Sequence, residues 1–187
     1  MPEPLLARIP PADMPEDLRS AWSQSMELRG DATFFEVFAN HPELYRWYIS
    51  SFYEGVFRGG RVPRRYKELL RLRLSTLHGC KFCNQGNRED ARAAGLTEAE
   101  INALEDPDSD ALSAQDRAVL ALGERLSLVT DHGAVDAELH ARLATFFDDA
   151  QILELGFVGS VLSGVAKFLF SFDLVEREDN CPFHPDA

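Results

Sequence analysis

Cysteine is scarce in this chain, with three residues in 187. Three thiols cannot make the disulfide framework of a small secreted domain. Basic residues are short as well: 19 Lys and Arg stand against 31 Asp and Glu, a formal charge of −12. Nucleic acids and anionic membranes are gripped by clusters of Lys and Arg, so this balance argues against both as partners. The one basic cluster, Arg58, Arg61, Arg64, Arg65, Lys67, Arg71 and Arg73, is interrupted by Glu68. The longest apolar run, Leu155 to Ala166, lies between Glu154 and Lys167 and falls short of the ~20 residues of a membrane span. Met1-Pro2-Glu3-Pro4 has neither the basic nor the apolar region of a secretory signal. A cytoplasmic protein is the expectation. No segment alternates polar and apolar residues between turn signals, which leaves no case for strands.

What is present reads as helix. With 45% hydrophobic and 27% charged residues, the composition is that of an ordinary globular domain. A chain of this size buries about 70% of its unfolded surface and needs no covalent or metal staple. Prolines at 2, 4, 10, 11 and 15 predict an extended arm over 1–15. A single all-α domain of eight or nine helices is expected over 16–175, and a loose tail over 176–187. The aromatic run Tyr45, Trp47, Tyr48, Phe52, Tyr53 and Phe57 belongs to a helix opened by Pro42 and closed by Gly59-Gly60. Such a run packs a core or lines an apolar pocket. Pro63 opens a leucine-rich helix that reaches His78-Gly79. Another runs from the cysteine pair to Gly95. Thr97 with Glu100, Ser113 with Asp116, Asp136, and Asp148 or Asp149 mark later helix starts. Glu105 to Asp110 is an acidic linker, and His132-Gly133 a break. The small residues Gly156, Gly159, Ser160, Ser163 and Gly164 suit either a tightly packed core helix or a subunit interface.

Cys80-Lys81-Phe82-Cys83 carries the strongest chemical signal. Two thiols on one helical turn can close a disulfide with little movement. One attacks an oxidant and the other condenses with the sulfenic acid that forms. A helix start after Gly79 lowers a thiol's pKa by stabilising the thiolate, and Lys81 adds positive charge. Two buried small residues at helical spacing would look the same. Zinc needs further ligands; Cys181 and His184 are the only spare pair, and no metal site is expected. Spacing alone reads Glu68, flanked by Arg64 and Arg71, as part of a solvated ion-pair face. His41 reads as a helix-boundary residue, and His140 as a surface one.

Arg65-Tyr66-Lys67-Glu68, the leucine-rich helix, His78-Gly79-Cys80-Lys81-Phe82-Cys83, and then Ala91 and Gly95-Leu96-Thr97 resemble the carboxymuconolactone decarboxylase family, in particular its alkylhydroperoxidase D-like branch. The segment Phe34 to Pro42 and the run Asp116 to Leu126 fit that branch too. The resemblance implies an all-α fold assembled as dimers, trimers or hexamers. It implies thiol peroxidase chemistry with no cofactor, recharged by a protein disulfide reductant. By position Glu68 matches the family's proton-relay glutamate, and Cys80 and Cys83 match its thiol pair. Cys83 takes the peroxide-attacking role by analogy. The family's histidine, four residues after the second cysteine, is Asn87 here. Asparagine hydrogen-bonds but does not titrate, and His78 is the nearest substitute in sequence. The expected function is reduction of a hydroperoxide through the dithiol. The alternative raised by Asn87 is a non-peroxidase oligomeric binding or disulfide-exchange protein. A lyase or isomerase acting on a ring substrate is the third reading.

Overall fold

The structure, a computed structural model, describes residues 1–106, 109–130, 133–179 and 181–183. Among these residues there are nine α-helices and no strand. In chain order they are α1 (Glu16–Arg29), α2 (Thr33–Phe38), α3 (Pro42–Trp47), α4 (Arg64–Leu77), α5 (Lys81–Ala93), α6 (Glu98–Asn102), α7 (Ala114–Leu126), α8 (Ala137–Ala144) and α9 (Asp149–Ser171). Thr97, Ser113 and Asp148 each close a reciprocal capping box, and Asp136 caps α8. His41 caps α3, its Nδ1 accepting the Leu44 N–H. The helix expected to carry Leu128 ends at Leu126, and α8 stops before Phe146 and Phe147. His132, His184 and the Pro107-Asp108 part of the acidic linker lie outside the described residues.

Helix α4 is the hub of the fold. It packs against α5, α7 and α9, and every residue from Lys67 to Ser75 is buried. The expectation of a solvated ion-pair face around Glu68 is therefore corrected. The charges of α4 are inside, and each finds partners. Lys67 Nζ donates to the Val56 carbonyl (2.7 Å) and to Glu154 Oε1 (2.9 Å). Arg65 bridges Glu100 and Asp116, both at 2.8 Å. Arg73 donates to the Leu104 carbonyl and to Glu124. Buried charges are tolerated only when paired in this way.

The aromatic helix expected from Pro42 onward divides in two. After α3 the backbone widens into a π-helix, Tyr48–Arg58. Its i→i+5 hydrogen bonds set residues five apart above one another, so Tyr48 and Tyr53 share a side, as do Phe52 and Phe57. On an α-helix the same pairs would diverge by roughly 140°. Tyr48 and Phe52 stack with ring centroids 5.6 Å apart.

Part of the expected loose tail, 176–187, docks on the domain: Cys181 is buried, next to the buried Leu174 and Val175 that end the domain. The Phe82 N–H donates to the Glu176 carbonyl (3.3 Å), the Glu178 N–H to the Gly79 carbonyl (2.8 Å), and the Cys181 thiol to the His78 carbonyl (3.1 Å). Gly79 has φ +62°, and a Cβ there would come within 2.7 Å of the Cys181 Cα. No other residue fits that turn without strain.

The last helix also exceeds the apolar run read from the sequence. At 23 residues α9 is long and apolar enough, by length and composition alone, to cross a membrane. Here it packs against α4, α7 and α8 and buries Leu155, Val158, Leu169 and Phe170. Its small residues divide: Gly159 and Ser163 are buried, whereas Ser160 and Gly164 face outward beside exposed Leu153 and Phe157.

Candidate active site

Cys80 and Cys83 straddle the start of α5. The turn between α4 and α5 is tight: the Cys80 N–H returns to the Ser75 carbonyl (3.1 Å). This leaves Cys80 as the N-cap of α5, its Sγ accepting the Cys83 N–H at 3.3 Å. The predicted helix start after Gly79 is thus where the structure places it. The two sulfurs are joined as a disulfide, with Cα atoms 5.2 Å apart. Cys80 is 1% exposed, whereas Cys83 is only partly buried.

Two spaces meet at Cys83. An outer pocket of about 380 Å³ opens between α1, α2, the π-helix and α5. An inner cavity of about 80 Å³ lies behind it, between α4, α5 and α9. Cys83, Asn87, Arg71, Tyr48 and Tyr53 border both spaces, while Cys80, Ser75 and His78 border only the inner one. Phe34, Phe35, Tyr45 and Phe82 give the outer pocket an aromatic lining. Apart from Trp47, which is exposed, the aromatic run therefore serves core and pocket together.

The structure brings four of the five expected site residues to these walls. Asn87 is buried, and its Nδ2 donates to Ser75 Oγ at 2.9 Å; that hydroxyl donates in turn to the Leu72 carbonyl (3.1 Å). His78 is 1% exposed. Its Nε2 accepts the Leu128 N–H at 3.0 Å, and burial lowers its pKa from 6.5 to about 4. The ring is therefore neutral at physiological pH. Glu68 is the exception. It is 1% exposed and does not border either space. It accepts from Arg64 Nε (3.0 Å) and from Arg71, which also holds Asp90 at 2.7 Å. Glu68 thus stands behind Arg71, and the guanidinium is what faces the cysteines' cavity. Lys81 turns away to Glu176 (3.0 Å).

Arg71 and Ser75 complete the site without belonging to any motif. Both lie one face along α4 from the leucines, and the signal that marks them is i, i+4 spacing on the helix that precedes Cys80. Tyr48 is nearly fully buried. Burial, followed by its hydrogen-bonded neighbour Tyr53, pushes its hydroxyl well above the usual phenol range. Among the described residues no group of three His, Cys, Asp or Glu is placed to hold a metal. Cys181 is buried against His78.

Residues 42–125 match the model of the carboxymuconolactone decarboxylase family. The chain is 33% identical over 95 residues to the uncharacterized protein YdfG of Bacillus subtilis (strain 168), a stretch covering 50% of this chain and 64% of that one. The match thus spans less than two thirds of the relative's length. Among solved structures it is similar to a cysteine-to-alanine variant of the debrominase Bmp8 in complex with 2,3,4-tribromopyrrole, with a TM-score of 0.73 at 17% identity, covering 95% of this chain and 93% of the other. It is also similar to an uncharacterized peroxidase-related protein from Ralstonia eutropha JMP134 with an alkylhydroperoxidase AhpD core. That TM-score is 0.68 at 15% identity, with 93% of each chain covered. At these identities the structural likeness is one of fold.

Proposed function

We propose, for a chain that belongs to the carboxymuconolactone decarboxylase family through residues 42–125 and has the alkylhydroperoxidase D-like helical fold, that Cys83 reduces a hydroperoxide and Cys80 resolves the product. One observation carries the reading: Cys83 is the sulfur that borders the substrate-sized pocket, and Cys80 lies behind it at the N-cap of α5. In the first step the Cys83 thiolate attacks the outer peroxide oxygen. The O–O bond breaks, Cys83 becomes a sulfenic acid, and the alkoxide leaves as an alcohol after taking a proton. In the second step the Cys80 thiolate displaces hydroxide from that sulfenic acid, giving the disulfide and water. A protein dithiol then attacks the accessible Cys83 sulfur. Cys80 is the better leaving group, because the Cys83 N–H and the α5 N-terminus stabilise its thiolate.

In this reading Asn87 orients Ser75 and the water around Cys83 rather than taking a proton, and Arg71 stabilises negative charge beside the sulfur. Glu68 fixes Arg71. A homo-oligomer is part of the proposal, supported by the exposed apolar side chains Trp47, Leu153 and Phe157; light scattering that reports a monomer would remove it. Cytoplasmic placement fits a pair that must be re-reduced.

The test is peptide mass spectrometry of the reduced protein after a brief, near-stoichiometric dose of cumene hydroperoxide. Loss of two hydrogens mapped to Cys80–Cys83, far faster than for free cysteine, supports the proposal. Thiols that stay reduced overturn it. A second reading, disulfide exchange without peroxide chemistry, is favoured by the engagement of both nearby candidates: His78 Nε2 accepts the Leu128 N–H, and Asn87 is bonded to Ser75. Asn87→His separates the two, because peroxidase activity confined to that variant would assign the natural chain to exchange.

A further inference from the structure

Three arginines border the outer pocket, and two of them are paired. Arg58 meets Glu54, and Arg71 meets Glu68 and Asp90. Arg29, at the end of α1, has no carboxylate within 4 Å among the described residues, yet it is partly buried and held in place. Its Nε donates to the Phe82 carbonyl at 3.1 Å, its guanidinium carbon lies 4.6 Å from the Phe82 ring centroid, and its Nη1 reaches Ser25 Oγ at 3.4 Å. Its Nη2 rests on the backbone of α5 at Gly86, where a Cβ would overlap the guanidinium.

The acids around it, Asp90, Glu89 and Asp31, act on it through space without forming an ion pair with it. Asp90 is held by Arg71, and Asp31 Oδ1 accepts from the Thr33 backbone and hydroxyl. Asp31 Oδ2 is buried without a hydrogen bond, and Glu89 is exposed; neither forms an ion pair with Arg29. Burial already lowers the pKa of Arg29, against the opposing pull of Asp90 and Glu89. A fixed, partly desolvated guanidinium with free donors is costly until an anion occupies it.

We infer that the outer pocket takes an apolar or aromatic carboxylate, its anionic group on Arg29 and its body against Phe34, Phe35 and Tyr45. Arg29 is tied to the peptide next to Cys83, so the carboxylate sits close to the reacting sulfur. Arg29 and the two Phe residues lie outside the family-matched segment 42–125, while Tyr45, Phe82 and Gly86 lie inside it, so the N-terminal helices supply the anion contact. The inference deepens the peroxidase reading by naming its substrate class, but recognition of the anion does not depend on peroxide chemistry.

The test is alkylation of Cys83 in the reduced protein by iodoacetate and by iodoacetamide, followed by peptide mapping. In each reaction the thiolate forms an S–C bond and iodide leaves, so only the reagent's charge differs. The iodoacetate-to-iodoacetamide rate ratio is expected to exceed that of glutathione and to fall about tenfold in Arg29→Gln, the scale of one charge-assisted hydrogen bond. Gly86→Ala, which keeps the charge but displaces the guanidinium, should lower the ratio as well. In the unaltered protein 4-phenylbutyrate should protect Cys83 from iodoacetamide, and 4-phenylbutanamide should not. A ratio indifferent to Arg29, or equal protection by acid and amide, overturns the inference. No turnover is needed: a charge-selective Cys83 without peroxidase activity would sink only the earlier proposal, and turnover without charge selectivity only this one.

Discussion

The two spaces that meet at Cys83 are built from different materials. The inner one is small, walled by α4, α5 and α9, and its polar groups Ser75, His78 and Asn87 are bonded to the protein itself. The outer one is nearly five times larger, by 380 against 80 Å³, with aromatic walls and a guanidinium lacking a carboxylate partner. About 80 Å³ admits a few water molecules and no organic ligand. In the proposed mechanism the difference separates two tasks around one sulfur: the inner side would govern its protons and its disulfide partner, and the outer side which molecule arrives.

The sharpest way to break this comparison is to remove the sulfurs one at a time. Cys83→Ser should lower hydroperoxide turnover on the order of 10³-fold or more, as loss of a nucleophile does. Cys80→Ser should also end turnover, yet still consume about one peroxide per chain and hold Cys83 as a sulfenic acid that a dimedone probe captures. Equal stoichiometric consumption by both variants would dissolve the distinction between inner and outer sulfur.

The next effect is on the frame. Glu154 holds Lys67 and accepts the Arg61 and Val62 N–H groups (2.7 and 3.1 Å), so it pins the end of the π-helix to α9. Glu154→Ala leaves a fully buried ammonium without its anion and should cost about 3–5 kcal/mol in urea unfolding. Lys67→Met should cost less, because the Glu154 carboxylate it leaves behind keeps the Arg61 and Val62 N–H groups as partners.

The inner cavity also has a pH signature. The folded pKa of His78, about 4, lies below its ordinary 6.5, so the unfolded chain binds the proton first. The contribution is intact above pH 6.5 and is lost as pH falls toward 4, by up to ~3 kcal/mol. His78→Gln keeps an acceptor for the Leu128 N–H and should flatten that part of the stability profile; an unchanged profile would place the titration elsewhere. The smallest effect is expected at the boundary between the spaces. Tyr53→Phe removes one hydrogen-bond partner of Tyr48 and should cost about 1 kcal/mol. It should change turnover less than threefold, because Tyr48's hydroxyl is held too far above neutrality to act as a base.

Most of the helical order was legible in the sequence, because capping residues are local. Thr97, Ser113, Asp136 and Asp148 each sit where their own side chains fix the helix start. Cys80 and Cys83 were legible as a pair on one short segment, whereas Asn87 was singled out only through the family resemblance. The π-helix was not, since the hydrophobic pattern of Tyr48 to Phe57 fits an α-helix equally well and tertiary packing decides between them. Nor was the burial of Lys67 and Arg71: their partners Glu154 and Asp90 lie 87 and 19 residues away, beyond any local pattern. Arg29 falls in the same class, because its place is set by Phe82, 53 residues later.

The latch on the Cys80 turn has a consequence in time rather than in space. Gly79 and Phe82 are held by Glu178 and Glu176, and His78 by Cys181, 103 residues downstream. At synthesis rates of ~5–20 residues per second, the ribosome takes roughly 5–20 s to deliver that clasp. Until then the nascent chain presents both thiols on an unsecured turn, so the interval when they most need a reducing surrounding comes before that clasp closes.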